Sequence, residues 1–302
     1  MAELHIAKYH GTGNDFVMIE DVSDRLELTE DLARRLCDRR FGVGADGVIR
    51  VAPAEDADFF MDHRNSDGSL AQMCGNGIRC LSKLVYDRGL VDRTEIRVGT
   101  RSGIKTLQLH VEDGAVASAT VNMGRARFAR GTLPMAGDPE TPFVGEPFEV
   151  DGRSYKATAV SMGNPHLVLF VEEDPDDVDV PRLGPLVERD ERFPERTNVE
   201  FVAVQDDGVK VRVWERGAGE TMACGTGACA AVVAANEAGL VPASAPARFP
   251  GGLLRIERLD DDEVLLTGPA ERVFEATIDE SWLAGRAASS SDAVGRTDGL
   301  SA

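Results

Sequence analysis

The sequence predicts an α/β protein of two pseudo-symmetric domains, each a curved mixed sheet wrapped round a central helix. Three observations carry this. The chain has 302 residues, room for two domains of ordinary size with a core each. The phrase Cys74-Gly75-Asn76-Gly77 returns as Cys224-Gly225-Thr226-Gly227, an offset of 150 residues (224 − 74), and Gly89-Leu90-Val91 returns as Gly239-Leu240-Val241 at the same offset. Between these markers, strand-like and helix-like segments follow one another in the same order in both copies.

Each copy opens on a Gly-Asn turn, Gly13-Asn14 and Gly163-Asn164. An apolar β-type run follows, Phe16-Val17-Met18-Ile19 in the first and Leu167-Val168-Leu169-Phe170 in the second. Further strands are expected at 47–51, 95–98, 106–111, 209–213 and 264–266, several alternating in polarity as half-buried strands do. Helices are expected at 30–38, 75–88 and 225–238. The last contains Ala228-Cys229-Ala230-Ala231-Val232-Val233-Ala234-Ala235, apolar on every side, so other structure must enclose it. Its small side chains let a sheet pack closely round it. The polar loop Asn65-Ser66-Asp67-Gly68 falls opposite Glu215-Arg216-Gly217-Ala218, each just ahead of a cysteine helix. The first copy ends near Gly124. Residues 131–147, rich in Gly and Pro, read as irregular surface, and 273–278 as a last strand. From Gly285 onward, with Ser289-Ser290-Ser291, apolar content is too low to fold and disorder is expected. The expected division is 1–124 plus 271–285 around Cys74, 125–270 around Cys224, and a tail at 286–302.

Composition excludes several functions. Hydrophobic content of 42% and charged content of 28% are those of a water-soluble globular protein. A net charge of −19, from 52 acidic and 33 basic residues, argues against nucleic acid and anionic membranes as partners. The acid is scattered in runs such as Glu172-Glu173-Asp174 and Asp260-Asp261-Asp262, which read as solvated surface. No apolar run is long enough to span a bilayer, and the start lacks the pattern of a signal peptide, so a cytoplasmic protein is expected. Five cysteines, an odd number, argue against a disulfide framework. Cys74 and Cys80, with five residues between them and no His pair nearby, do not suit zinc, and no metal is expected. Cys37, Cys80 and Cys229 lack the Gly-x-Gly context and read as small buried hydrophobes. Gly11-Thr12-Gly13-Asn14 lacks the remainder of a nucleotide-binding loop.

Cys74 and Cys224 are the residues that carry chemistry. The first N–H groups of a helix have no internal partner, and the helix dipole places partial positive charge there. A cysteine at that point is expected to have its pKa lowered toward thiolate. The following Gly-x-Gly allows close backbone approach, and the same N–H groups can hold a carboxylate. One helix end thus supplies a base and a cradle for the anionic group beside the carbon it acts on. Two such ends facing each other suit removal of an α-proton from one face and its return to the other, with no cofactor. Glu215-Arg216, just before the second cysteine helix, offers a pair to read a zwitterion, since the arginine fork matches a carboxylate.

Six motifs in order then resemble the diaminopimelate epimerase family. They are Gly11-Thr12-Gly13-Asn14-Asp15-Phe16, Asn65-Ser66-Asp67-Gly68-Ser69, Cys74-Gly75-Asn76-Gly77-Ile78-Arg79-Cys80, Met162-Gly163-Asn164-Pro165-His166, Arg196-Thr197-Asn198, and Glu215-Arg216-Gly217-Ala218-Gly219-Glu220-Thr221 with Ala223-Cys224-Gly225-Thr226-Gly227. The likeness runs from about Ile6 to about Ile278. It implies the fold of that family and a pyridoxal-independent two-base epimerase that interconverts LL- and meso-2,6-diaminopimelate, on the route to lysine and cell-wall peptide. Cys74 and Cys224 match the catalytic cysteines. Backbone at Gly75-Asn76 and Gly225-Thr226 would cradle the carboxylate at the reacting centre. Asn14, Asn65, Asn164, Asn198, Glu215 and Arg216 match substrate-binding positions, and His166 and Glu215 match groups that tune the thiols. The resemblance also implies a homodimer. Two departures stand out. Some members have Gln where this chain has Gly47, and some have near the C-terminus a Tyr linked to dimer contact, where this chain has Phe274.

Two other readings compete. A proline or hydroxyproline racemase-like enzyme, or a phenazine-pathway isomerase, would keep the fold and change the substrate. Asn65, Asn198 and Arg216 argue against proline, which has no distal amino-acid group for them to bind. A thiol redox or amino-acid-binding protein is the third reading. It has no Cys-x-x-Cys to support it and no need of two activated thiols.

Overall fold

The computed structural model describes residues 3–284; the disorder expected from Gly285 onward concerns residues outside those described. In the first copy β1 (Glu3–Gly11) and β2 (Asn14–Glu20) lead through α1 (Glu30–Cys37) to β3 (Gly47–Ala52), β4 (Phe59–Asn65), α2 (Gly75–Asp87), β5 (Glu95–Thr100), β6 (Gly103–Glu112) and β7 (Ala115–Arg125). β8 (Val144–Val150) then introduces the second copy: β9 (Arg153–Ser161), β10 (Pro165–Phe170), α3 (Val180–Glu188), β11 (Asn198–Gln205), β12 (Gly208–Glu215), β13 (Gly219–Thr221), α4 (Gly225–Glu237), β14 (Ser244–Phe249), β15 (Gly252–Arg258) and β16 (Glu263–Pro269). β17 (Glu271–Asp279) and the single turn α5 (Glu280–Leu283) follow.

The strand pairings repeat as the sequence does. In the first copy β1–β2 is antiparallel, β2–β3 parallel, β3–β4 antiparallel, β4–β5 parallel, and β5–β6–β7 an antiparallel meander. The second copy runs β9–β10 antiparallel, β10–β11 parallel, β11–β12 antiparallel, β12–β14 parallel, and β14–β15–β16 antiparallel. β7 and β16 pair antiparallel and join the two sheets. β17 returns to the first copy and pairs with β1, as β8 pairs with β9 in the second.

Local chemistry explains the helices. Thr29 caps α1 by accepting from Leu32 N at 3.2 Å, Glu30 and Asp31 stand at its positive end, and Arg34 and Arg35 at its negative end. Ala33, Leu36 and Cys37 turn inward, and Asp38 ends the helix by accepting from the next two free N–H groups. α2 is enclosed apart from its C-terminal turn, and its buried Ser82 is satisfied by donating to Ile78 O at 2.7 Å. α4 is buried along its length from Ala228 to Ala235, as its all-round apolar sequence predicts. Both cysteine helices stop in the same way. Leu90 N reaches back to Val85 O and Leu240 N to Ala235 O, each at 2.9 Å, with Gly89 and Gly239 left-handed at φ 68° and 70°.

Two expectations are corrected. α3 was not expected, because Pro181 and Pro185 argue against a helix. Pro181 stands in the first turn, where no N–H is needed, and burial of Val180, Leu183 and Val187 carries the helix past Pro185. The signal was available: 150 residues before α3 lies α1. The segment 131–147 is not all surface. Leu133, Met135 and Phe143 are buried in the core of the second copy, and β8 begins at Val144.

A side chain added at Gly89 or Gly239 meets no atom within 4 Å, so any cost there is backbone strain alone. Gly239→Ala is expected to lower stability by about 1 kcal/mol. Urea titration checks this, and an unchanged midpoint would show that the left-handed residue does not limit the helix stop.

Candidate active site

The two cysteine helices meet end to end. A side-chain carbon built on Gly225 would lie 3.6 Å from Gly75 Cα, so the positive ends of α2 and α4 abut. Cys74 and Cys224 are the N-caps, both in extended backbone, and each sulfur accepts from the third N–H of its own helix, Gly77 and Gly227, at 3.4 Å. That leaves the N–H groups of Gly75, Asn76, Gly225 and Thr226 at the mouth of the junction, with no intrahelical acceptor. Both cysteines line one cavity of about 790 Å³, together with Asn14, Asn164, Thr226 and Arg216. A second cavity of about 1360 Å³ adjoins it, sharing Asn14, Cys74, Glu215 and Arg216 and adding Asn65.

The two Gly-Asn turns bring one asparagine to each helix end. Asn14 Oδ1 accepts from the Cys74 thiol at 3.6 Å and from Asn76 Nδ2 at 3.3 Å. Its own Nδ2 donates to Asp46 at 2.8 Å, and Asp46 is held by Arg39 at 2.7 Å. Asn164 Nδ2 donates to Thr226 Oγ1 at 3.3 Å, and Thr226 Oγ1 lies 3.4 Å from Cys224 Sγ. Behind Asn164, His166 Nε2 lies 3.0 Å from Asn164 Oδ1, and His166 Nδ1 lies 2.7 Å from Glu200 Oε1. His166 and Glu200 are both fully buried. Burial pushes the Glu200 carboxyl up, and His166 pulls it back.

The polar loops supply the rest. Glu215 accepts from Thr221 Oγ1, and Asn65 Nδ2 donates to Ser69 Oγ at 3.0 Å. Asn198 is buried and stands behind the cavity wall: its Oδ1 accepts from Arg216 N at 2.8 Å and its Nδ2 donates to Pro165 O at 2.9 Å. Its amide sets the backbone from which Arg216 projects. Sequence reasoning missed Glu200, Asp46 and His63. Glu200 had a signal, a lone carboxylate in the apolar strand Val199-Glu200-Phe201-Val202.

The expectation of lowered thiol pKa values is overturned. Burial pushes the Cys74 thiol up, and the N–H groups of Gly77 and Asn76 recover only part of the shift. Cys224 is pushed well above the ordinary thiol value, by burial first and by the charge of Glu215 next, against smaller help from Thr226 and Gly227. Desolvation of each thiolate outweighs the hydrogen bonds that its sulfur accepts.

The position of Gly47 explains itself. A side chain there would start 2.7 Å from His63 Nε2 and 2.8 Å from Arg64 O. His63 therefore fills the space beside Gly47, edge-on to Phe16 with ring centroids 5.6 Å apart. It is buried in the wall of the larger cavity.

The fold is shared with solved structures that include phenazine biosynthesis proteins, a hydroxyproline epimerase and a probable proline racemase. The structure superposes on a phenazine biosynthesis protein of the PhzF family from Bacillus anthracis with a TM-score of 0.68 at 16% identity, covering 92% of this chain and 99% of the other. A hydroxyproline epimerase from Agrobacterium vitis gives a TM-score of 0.65 at 15% identity, covering 92% and 91%. Sequence places the chain more narrowly. The family model "Diaminopimelate epimerase" matches residues 6–129 and 158–273. Diaminopimelate epimerase of Pelotomaculum thermopropionicum is 48% identical over 274 residues, 90% of this chain and 97% of the relative. That of Acetivibrio thermocellus is 45% identical over 278 residues, 91% and 99%. The chain belongs to the diaminopimelate epimerase family.

His63 makes the fold pH-sensitive. Neither ring nitrogen has a hydrogen-bond partner among the described residues, and burial, with the Arg101 cation second, holds its pKa down to about 4. Below about pH 6.5 the unfolded chain binds a proton that the folded one refuses, so stability falls as pH drops from about 6.5 to about 4. His63→Leu is expected to remove about 3 kcal/mol of that decline. Urea midpoints across this range check it, and a variant whose decline parallels the parent's would contradict it.

Proposed function

We propose that this protein interconverts LL- and meso-2,6-diaminopimelate without a cofactor, Cys74 and Cys224 acting as base and acid on opposite faces of one α-carbon. The abutment of the two cysteine-capped helix ends supports this reading most. A carboxylate at their junction takes hydrogen bonds from the free N–H groups of Gly75, Asn76, Gly225 and Thr226, and its α-carbon then lies between the two sulfurs. Thiolate on one side takes the α-proton and becomes thiol. The electron pair released from the C–H bond spreads into the carboxylate, where both helix ends oppose its negative charge. The thiol opposite gives its proton to the other face and becomes thiolate, so the enzyme ends with the two states exchanged. The helix ends favour the thiolate and burial favours the thiol, and the reaction needs one of each.

The adjoining cavity supports a substrate with a second amino-acid end. Asn65, Glu215 and Arg216 line it, and proline has no group to reach them. Asn14 and Asn164 hold the reacting end, Asn198 positions Arg216, and the buried His166–Glu200 pair supports the Cys224 side through Asn164 and Thr226.

We further propose that the chain divides into 1–124 plus 271–285 and 125–270, since β17 completes the sheet of β1 as β8 completes that of β9. A homodimer formed across β17 accounts for Val273 and Phe274, which stand 58% and 43% exposed on a strand paired on one side only. No helix among the described residues is long and apolar enough to cross a membrane. Two thiols that must stay reduced suit the cytoplasm.

Cys74→Ser and Cys224→Ser are each expected to fold and to slow epimerisation at least about hundredfold. Rates from both LL- and meso-diaminopimelate check this. A Cys224→Ser protein with the parent's rate would sink the two-base assignment.

A further inference from the structure

Arg79 lies in α2, five residues on from Cys74, and is completely buried. Among the described residues its guanidinium has no carboxylate partner. Its hydrogen bonds go to Gly75 O at 2.9 Å, Asn76 Oδ1 at 3.0 Å and Pro269 O at 3.2 Å, all of them neutral. Burying an unpaired charge is costly, and burial works against this one. The sequence has 52 acidic residues, and none of those described is placed beside it. The fold instead clears a space for the group. A side-chain carbon at Gly11 would lie 3.1 Å from Nη2, and one at Gly268 3.1 Å from Nε. The repeat breaks here too: 150 residues on stands Cys229, so one cation serves both halves.

What Arg79 holds bonds a neighbour of each thiol. A guanidinium only donates, so Asn76 must turn Oδ1 toward it and Nδ2 away. Nδ2 then donates to Asn14 Oδ1, which accepts the Cys74 thiol, and to Ala223 O, in the residue before Cys224, each at 3.3 Å. The third bond, to Pro269 at the end of β16, ties α2 to the other copy.

We propose that Arg79 is a positioning residue for the epimerisation, a buried cation that locks the Asn76 amide between the two thiol loops and offsets the negative charge that builds beside it as the α-proton leaves. The inference rests on the two-thiol reading above. The positive charge of Arg79 also draws the Cys74 thiol down against burial.

Full-length Arg79→Met, Arg79→Gln and Arg79→Lys proteins test it. The readouts are thermal melting, kcat and KM for LL-diaminopimelate, and the pH dependence of Cys74 alkylation by iodoacetamide, followed by mass mapping. Arg79→Met and Arg79→Gln are expected to melt within a few degrees of the parent, because an apolar or neutral group relieves a buried charge. Their kcat is expected to fall about hundredfold with KM changed less than about threefold, and alkylation of Cys74 to move to higher pH. Arg79→Lys, which keeps the charge, should restore the alkylation profile and at least about tenfold of the lost kcat. A folded Arg79→Met or Arg79→Gln protein with the parent's kcat and alkylation profile overturns the proposal. Failure of both to fold also overturns it, by assigning the cation to the fold. The alkylation arm uses no substrate, so an inactive parent would refute the two-thiol reading while Arg79 is still tested.

Discussion

Two helix N-termini pressed together are an electrostatic problem. Each carries partial positive charge and N–H groups with no internal acceptor, and α2 and α4 meet end to end at Gly75 and Gly225. Water or an anion must satisfy them, and a carboxylate fits both ends at once. The rest of the molecule builds and holds this junction. The repeated sheets enclose α2 and α4, β7 pairs with β16 to lock the two copies together, and the Gly-Asn turns deliver one asparagine to each helix end.

The same enclosure opposes the chemistry it makes possible. Burial pushes both thiols up, Cys224 further, and the charge of Glu215 adds to the rise at each. The enclosure strengthens every interaction with the charge that forms during reaction, while making the resting thiolate harder to reach. The two sides answer this differently. Cys74 has Asn14, backed by Asp46 and Arg39. Cys224 has Thr226 and Asn164, backed by the buried His166–Glu200 pair. A duplicated frame thus carries two unlike halves of one site.

Much of this was legible in the sequence, because the repeat at 150 residues encodes topology directly. Identical turns, helix starts and helix stops forced the same pairings on both copies. What was missed lay where long-range packing overrides local signals. Pro181 and Pro185 disguised α3, whose buried face is visible only once β11 and β12 lie beneath it. Leu133, Met135 and Phe143 sit among glycines and prolines, and their burial depends on strands distant in sequence. Thiol acidity was misjudged because a helix start is read from neighbouring residues and desolvation is not. The bond from Arg216 N to Asn198 joins two motifs eighteen residues apart, a pairing that spacing does not encode.

The most direct test of the two-thiol account uses reduced protein in deuterated water with LL-diaminopimelate and no added cofactor. Deuterium at the α-carbon is followed in both the meso product and the recovered substrate. The account predicts early meso product deuterated at the inverted centre, with recovered LL substrate still protiated, because one thiol takes the proton and the other delivers a solvent-derived one. Deuterium entering recovered substrate as fast as product would show a single base, and no uptake by folded, reduced protein would contradict the activity itself.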